Sequence, residues 1–113
     1  MSNHDADLNL IFQALSDPTR REMLQRLGKG AMPVSDLARP TGLSLPTVMR
    51  HVSVLEEAGL ILTQKEGRVR TCELRPKALG VARDWLADRR AEWEALTDRL
   101  EAFLEEMDDE DDA

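Results

Sequence analysis

The sequence predicts a mainly helical fold with one small β-hairpin, and three observations support this. Apolar residues recur at helical spacing in several segments of the 113-residue chain. Proline and glycine residues mark the ends of two short helices between residues 34 and 58. Two runs rich in β-branched residues, 60–65 and 69–74, flank Glu66-Gly67-Arg68, which is typical of a hairpin turn.

Two amphipathic helices are expected before residue 28. The first is defined by apolar residues at positions i, i+3, i+4 and i+7, namely Leu8, Ile11, Phe12 and Leu15. Asp17 can cap the second helix, with Pro18 at its first position. This helix carries Met23, Leu24 and Leu27 to a stop at Gly28.

Residues 34–58 are predicted to form two helices joined by a tight turn. Residues 34–42 fit one or two helical turns followed by a Pro/Gly break. The second helix begins after Ser44, whose hydroxyl can serve as the N-cap, and stops at Gly59. This pattern is a helix-turn-helix, and the hairpin over about 60–75 that follows it is a wing.

The second helix of this motif has two different faces at about 100° per residue. Its apolar stripe consists of Val48, Val52 and Leu55. The opposite side consists of Pro46, Arg50, Ser53 and Glu57, with Thr47 and Met49 on the flanks. One face is therefore expected to pack against the domain, and the other to be presented to a partner.

A long C-terminal helix over about 77–107 can open at Pro76. Its apolar residues repeat every seven positions, with a companion series that Arg89 interrupts: Leu79, Leu86, Trp93, Leu100 and Met107, then Ala82, Leu96 and Phe103. From Trp93 onward the spacing alternates between three and four, which is typical of two helices packed side by side. We expect a dimer interface there, whereas covering of the domain's own core is favoured for Leu79, Ala82 and Leu86.

The chain length predicts one domain, residues 1–107, with a modest core to which a dimer would add apolar burial. Residues 108–113 form an acidic tail that is expected to be disordered and solvated. The single cysteine, with no signal peptide and no apolar run of membrane length, predicts a soluble cytoplasmic protein without a membrane partner.

The net charge of −7 conceals an uneven distribution. Between Arg20 and Lys77 the sequence carries a net +5, and from Asp84 to the C-terminus it carries −10. The positive charge coincides with the helix-turn-helix and the wing. Because Lys and Arg neutralise phosphates and release condensed counterions, this segregation favours double-stranded DNA as the partner. The alternative is charge scattered over solvated surfaces.

Five motifs in register resemble the ArsR family of winged-helix repressors over about residues 8–104. They are Phe12-Gln13-Ala14-Leu15-Ser16-Asp17-Pro18-Thr19-Arg20-Arg21, Met23-Leu24, Arg50-His51-Val52, Leu55-Glu56-Glu57-Ala58-Gly59-Leu60-Ile61 and Lys65-Glu66-Gly67-Arg68-Val69-Arg70. The resemblance implies a homodimer that binds an operator in bacterial DNA, represses transcription and is released by a signal. In this family the first and last helices pair across the dimer axis. The predicted interface is therefore Leu8, Ile11, Phe12, Trp93, Leu96, Leu100, Phe103 and Met107.

The start of the second helix in such motifs reaches base edges in the major groove. The predicted DNA-binding residues are Ser44, Pro46, Thr47, Met49, Arg50 and His51 in the helix, and Lys65, Arg68 and Arg70 in the wing. Arg50 is the main predicted base reader, because a guanidinium can donate two hydrogen bonds to guanine. Its alternative is an ion pair with Glu57 or simple solvation.

Several of these residues have a competing structural role. Capping is the favoured primary role of Ser44, although its hydroxyl can also reach a phosphate. Thr47 suits a thymine methyl or a phosphate, whereas Pro46 and Met49 offer only apolar contact. A hydrogen-bonded structural role competes with phosphate contact at His51. The wing cations are expected to reach the backbone or the minor groove, and their alternative is an ordinary solvated hairpin.

Metal ligands expected from the resemblance are missing from the sequence. The family's helix-turn-helix metal site uses two cysteines, and Pro33 and Ser35 occupy those positions. No histidine follows His51, so the C-terminal helix offers no imidazole ligand. The carboxylates Asp84, Asp88 and Glu92 on that helix suit only hard, weakly held cations, and an exposed helix surface is the favoured interpretation of them. We therefore expect no metal and no cofactor.

Catalysis is not expected either. The sequence has no glycine-rich phosphate loop and no second histidine near a nucleophile. Cys72 is interpreted as a small packed strand residue rather than a redox sensor. The sequence thus predicts a metal-independent dimeric repressor on an inverted-repeat operator. The alternative is a winged-helix adaptor that binds another protein instead of DNA. The sequence does not identify an inducing ligand.

Overall fold

The computed structural model of the chain describes residues 3–111, and the side-chain surroundings of residues 7–109. Its elements follow in the order α1 Asn3–Leu15, α2 Pro18–Leu27, β1 Met32–Pro33, α3 Val34–Ala38, a 3-10 turn Arg39–Thr41, α4 Leu45–Glu57, β2 Ile61–Glu66, β3 Val69–Leu74 and α5 Pro76–Asp111. The chain divides into a body that ends at Ala82 and a C-terminal unit that begins at Arg83. The mainly helical class with a small antiparallel sheet is confirmed.

An apolar core fills the body, and each of the helices α1 to α4 supplies one face to it. The buried residues of this core are Leu8, Ile11, Ala14, Met23, Leu27, Val34, Leu37, Val48, Val52, Leu55, Ala58, Leu60, Ile61, Cys72 and Ala82. Among the described residues no polar or charged side chain is fully buried. The predicted stripe of α4 is confirmed, because all three of its members are core residues.

Arginines of α2 hold the ends of two neighbouring helices. Arg20 donates from Nε to the carbonyl of Ala14 at 2.8 Å and from Nη2 to that of Gln13 at 2.9 Å, near the end of α1. Arg26 donates to the carbonyls of Leu37 and Asp36, at 3.0 and 2.8 Å, near the end of α3. These bonds satisfy carbonyls that a helix terminus leaves unpaired. Part of the positive charge in this segment is therefore structural.

The sheet has the strand order β1-β3-β2 and is antiparallel throughout. Since Glu66 pairs with Val69, the hairpin turn contains only Gly67 and Arg68, and is shorter than the predicted three residues. Gly67 has a φ of +63°, which glycine adopts without strain. The two-residue strand β1, Met32–Pro33, pairs with β3 and was not predicted.

Helix α5 begins at Pro76, as expected, and continues to Asp111. It is thus longer than the predicted 77–107, and residues 108–111 of the acidic run are helical. Residues 112 and 113 lie outside the described part of the chain. Within that part, no helix combines the length and apolarity that a bilayer crossing requires.

Candidate nucleic-acid interface

The local sequence specifies both ends of α4. The Ser44 hydroxyl accepts a hydrogen bond from the Thr47 N–H at 3.4 Å, and Pro46 lies in the first turn, where no intrahelical N–H is needed. Gly42 before the helix has φ +68° and Gly59 after it has φ +75°. Both are left-handed conformations that favour glycine. The capping role predicted for Ser44 is confirmed.

The presented face of α4 is exposed in the structure. Pro46, Arg50, Ser53 and Glu57 are exposed, and Thr47 and Met49 are half-buried on the flanks, as their spacing predicts. In the described part of the chain, Arg50 forms no ion pair, so the alternative pairing with Glu57 is absent. Its guanidinium therefore keeps its donors for an external acceptor.

A contact with Arg20 fixes the chemistry of His51. Nη1 of Arg20 lies 3.2 Å from Nδ1 of His51, which is half-buried. A guanidinium has no acceptor atom, so this contact requires the imidazole Nδ1 to accept and places the ring proton on Nε2. His51 thus has the structural partner that its sequence position suggested, and its Nε2–H remains a donor.

The wing carries three cations with different surroundings. Lys65 and Arg68 are exposed and form no ion pair with any described residue. Arg70 is half-buried, and its Nη1 donates to the hydroxyl of Thr63 at 3.0 Å. Thr63 in turn donates to Oε2 of Glu56, on the last turn of α4, at 2.7 Å. Sequence patterns could not reveal Glu56 and Thr63, because their contact joins a helix to a strand.

A groove of about 220 Å³ lies between α4 and the wing. Its lining consists of Pro33, Val34, Ser35, Leu45, Met49, Arg68, Val69 and Arg70. The groove brings the predicted residues Met49, Arg68 and Arg70 together on one surface. Ser44, Pro46, Thr47, Arg50, His51 and Lys65 do not line it.

Similar proteins show the family to which this chain belongs. A family model described as a helix-turn-helix domain matches residues 15–64. The chain is 32 % identical to the transcriptional repressor SdpR of Bacillus subtilis over 79 residues, which cover 70 % of this chain and 88 % of that protein. The crystal structure of an ArsR family transcriptional regulator, RHA00566, shares 46 % identity and a TM-score of 0.79 over 83 % of this chain and 97 % of its own. The chain belongs to the ArsR family.

A second relative supports this assignment. The HTH-type transcriptional regulator Rv2034 of Mycobacterium tuberculosis is 39 % identical over 72 residues, which cover 64 % of this chain and 67 % of that protein. The ArsR protein described here is accordingly a DNA-binding transcriptional regulator with a winged helix-turn-helix, and not an enzyme.

The two positions at which the family resemblance implies metal-binding cysteines lie in this groove. Pro33 and Ser35 both line it, and neither side chain can ligate a soft metal. Across the described residues, no three side chains of His, Cys, Asp or Glu are placed to hold a metal ion. On α5, Asp84 pairs with Arg83 at 3.3 Å and Glu92 pairs with Arg89 at 2.9 Å, so these carboxylates have protein partners.

The residues assigned to the dimer interface fall into two groups. Leu8 and Ile11 are buried in the core of the body, whereas Phe12 is exposed. The remaining residues of the predicted interface are all exposed: Trp93, Leu96, Leu100, Phe103 and Met107.

Three other residues of α5 were expected to cover the core of the body. Leu79 is half-buried and Ala82 is buried, as expected, but Leu86 is 51 % exposed.

Cys72 is fully buried in β3, opposite Thr63 in β2. Burial raises the pKa of its thiol to about 11, with a further contribution from the negative charge of Glu56, which outweighs the opposing effect of Arg70. The thiol is thus protonated at neutral pH, and the protonated form is unreactive. This environment supports the interpretation of Cys72 as a packed residue.

Proposed function

We propose that this ArsR protein is a homodimeric repressor that binds an inverted-repeat DNA operator without requiring a metal ion. The observation that carries the proposal is the exposed face of α4, where Arg50 has no ion-pair partner among the described residues. A cation on the presented face of a recognition helix suits the acceptor edge of guanine.

The neighbouring cations suit the DNA backbone. Lys65 and Arg68 are exposed in the wing beside this helix, and the Nε2–H of His51 is a further donor. Contacts from such groups to phosphates supply affinity that does not depend on sequence. Arg50 therefore supplies specificity in this proposal, and the wing supplies affinity and register.

The exposed apolar face of α5 supports dimerisation. Trp93 is 70 % exposed and Phe103 is 59 % exposed, both at positions of the predicted seam. An apolar groove of about 480 Å³ also follows this helix between Trp85 and Thr97. Burying such a face against a second copy removes apolar surface from water, at roughly 25 cal/mol per Å². A dimer with two-fold symmetry would place its two α4 helices in successive major grooves, about 34 to 36 Å apart.

Metal independence is supported by the side chains at the family's cysteine positions. Proline and serine there leave no thiolate for a soft metal.

The experiment that tests the proposal has two parts. Selection from random duplexes should return an inverted repeat, and binding to it should be unchanged by a chelator. A salt titration should show log affinity falling with log salt by about 0.9 per phosphate neutralised. Arg68→Ala should make that slope shallower, whereas Arg99→Ala, at an exposed arginine of α5, should not.

Absence of duplex binding at low salt would refute the proposal and favour the protein-binding adaptor. Selection of a single half-site, together with a monomer in sedimentation, would refute the dimer alone.

A further inference from the structure

The N-terminal tip of the recognition helix exposes mainly apolar surface. We define the helix tip as residues 43–47, comprising Leu43, Ser44, Leu45, Pro46 and Thr47. Leu45 is 57 % exposed, Leu43 is 40 % exposed, and Pro46 is also exposed. These three side chains have no polar group, although this is the part of the motif that approaches base edges.

The polar groups of the helix tip are largely satisfied within the protein. The hydroxyls of Ser44 and Thr47 lie 3.0 Å apart, so one of their two protons is donated within the pair. Ser44 also accepts from the Thr47 N–H. The Leu43 N–H donates to the hydroxyl of Thr41 at 3.1 Å, and that hydroxyl donates to the Ala38 carbonyl at 2.6 Å. The surface available to a partner is therefore more apolar than the residue types suggest.

Two arginines flank this apolar surface. Arg50 follows Leu45 by five residues, a rise of about 7.5 Å along the helix, and Arg68 shares the groove beside α4 with Leu45. A ligand that matches this surface must carry negative charge for the two arginines. It must also offer an apolar group to the leucine and proline side chains between them. In the major groove of DNA, the one apolar group that a base presents is the 5-methyl of thymine.

We infer that the helix tip, above all Leu45, reads thymine 5-methyl groups in the operator. The inference rests on the proposed function and adds to it the base class that the half-site must contain. Because Leu45 and Arg50 belong to the same helix, the thymine should lie in the same half-site as the guanine read by Arg50. Leu43 and Pro46 extend the same apolar surface.

The test removes single methyl groups from the operator. In the selected duplex, each thymine is replaced in turn by deoxyuridine, which lacks the 5-methyl group and keeps every hydrogen-bonding group. At one or two positions in each half-site the affinity of the unaltered protein should fall about four-fold, the effect of one buried methyl group. Thymines outside the half-sites serve as the control and should show no change.

Variants identify the side chain that makes the contact. For Leu45→Ala, the deoxyuridine effect should disappear at one of those positions, because the methyl group has lost its partner. Leu104→Ala is the matched control, since Leu104 is 58 % exposed on α5, outside the helix-turn-helix. This control should keep the full four-fold effect even if its overall affinity changes.

Three results would overturn the inference: selected half-sites without thymine, affinity that is insensitive to deoxyuridine, or a deoxyuridine effect that is undiminished in both Leu45→Ala and Leu43→Ala. In each case specific binding would persist and the proposed function would stand. Absence of any duplex binding would instead refute the proposed function and the inference with it.

Discussion

The hydroxyl of Thr63 donates to Oε2 of Glu56 at 2.7 Å, and so ties the second strand to the recognition helix. The Thr63 N–H reaches the same oxygen at 3.1 Å. Because a hydroxyl has one proton, its donation to Glu56 leaves the lone pairs of Thr63 for Nη1 of Arg70. Arg70 is therefore held by a directed chain that starts on α4.

Thr63→Val should weaken duplex binding by loosening Arg70. The substitution conserves the shape of the side chain and removes its hydroxyl. We expect the binding free energy to become less favourable by about 1 kcal/mol, the typical value of one hydrogen bond. In the Arg70→Ala background the same substitution should cost nothing, because the two residues act as a unit. Filter binding or fluorescence anisotropy on all four proteins checks this. An equal loss in both backgrounds would show that Thr63 does not act through Arg70, and Thr63→Ser should restore binding.

Arg50→Ala should reduce specific binding by about 1 to 3 kcal/mol and relax one base position of the half-site. Arg68→Ala should instead lower the affinity for every duplex to a similar extent, because its proposed partner is a phosphate. Competition assays on single-base operator variants distinguish the two effects. An unchanged base preference in Arg50→Ala would assign base reading to another residue.

Leu100→Asp or Trp93→Asp should produce monomers that bind DNA poorly. A carboxylate buried without a partner at a packed seam is costly, and these positions lie on the exposed apolar stripe of α5. Sedimentation equilibrium measures the outcome. Ala102→Asp is the control, because it adds the same charge to the opposite side of the helix. A dimer that persists in both stripe variants would place the interface elsewhere.

Asp17→Ala should lower the free energy of unfolding by about 1 kcal/mol, the usual value of a helix N-cap. Oδ1 of Asp17 accepts from the backbone N–H of Thr19 at 2.8 Å and of Arg20 at 3.2 Å. Burial alone would raise its pKa, but these backbone hydrogen bonds and the charge of Arg20 lower it below the ordinary 3.8. This contribution to stability is therefore present above pH 3.8 and is lost as the pH falls through the native pKa. Urea denaturation at pH 7 and at pH 3 measures the free energy of unfolding of both proteins. The difference between the unaltered protein and Asp17→Ala should be smaller at pH 3.

Cys72 should resist alkylation in the native protein. Its pKa of about 11 leaves almost no thiolate at neutral pH, and the side chain is fully buried. Modification by iodoacetamide, followed by mass spectrometry, should be slow in buffer and fast in guanidinium chloride. Equal rates under both conditions would contradict the packed environment.

Local signals were sufficient to predict the helices and the reading face. Capping residues and glycines bound α2 and α4, and the 3.6-residue period separates Val48, Val52 and Leu55 from Arg50. These features depend on neighbours within a few residues, and the sequence displays them directly.

Contacts between distant segments could not be predicted in this way. Strand β1 exists only because Met32 and Pro33 pair with Cys72 and Thr71 across forty residues. The roles of Arg20 and Glu56 depend likewise on partners in other elements. The same limit explains why Leu8 and Ile11, which have the apolar spacing expected of an interface, pack in the core of their own subunit.

The pairing of β1 with β3 mechanically couples the start of α3 to the wing. Pro33 is followed directly by α3, so the strand that precedes the helix-turn-helix belongs to the same sheet as the hairpin. In the proposed dimer, each protomer is accordingly expected to present α4 and the wing to its half-site as one rigid unit. Release of that dimer from the operator would then require a change in the distance or angle between its two rigid units, and not a change within either one.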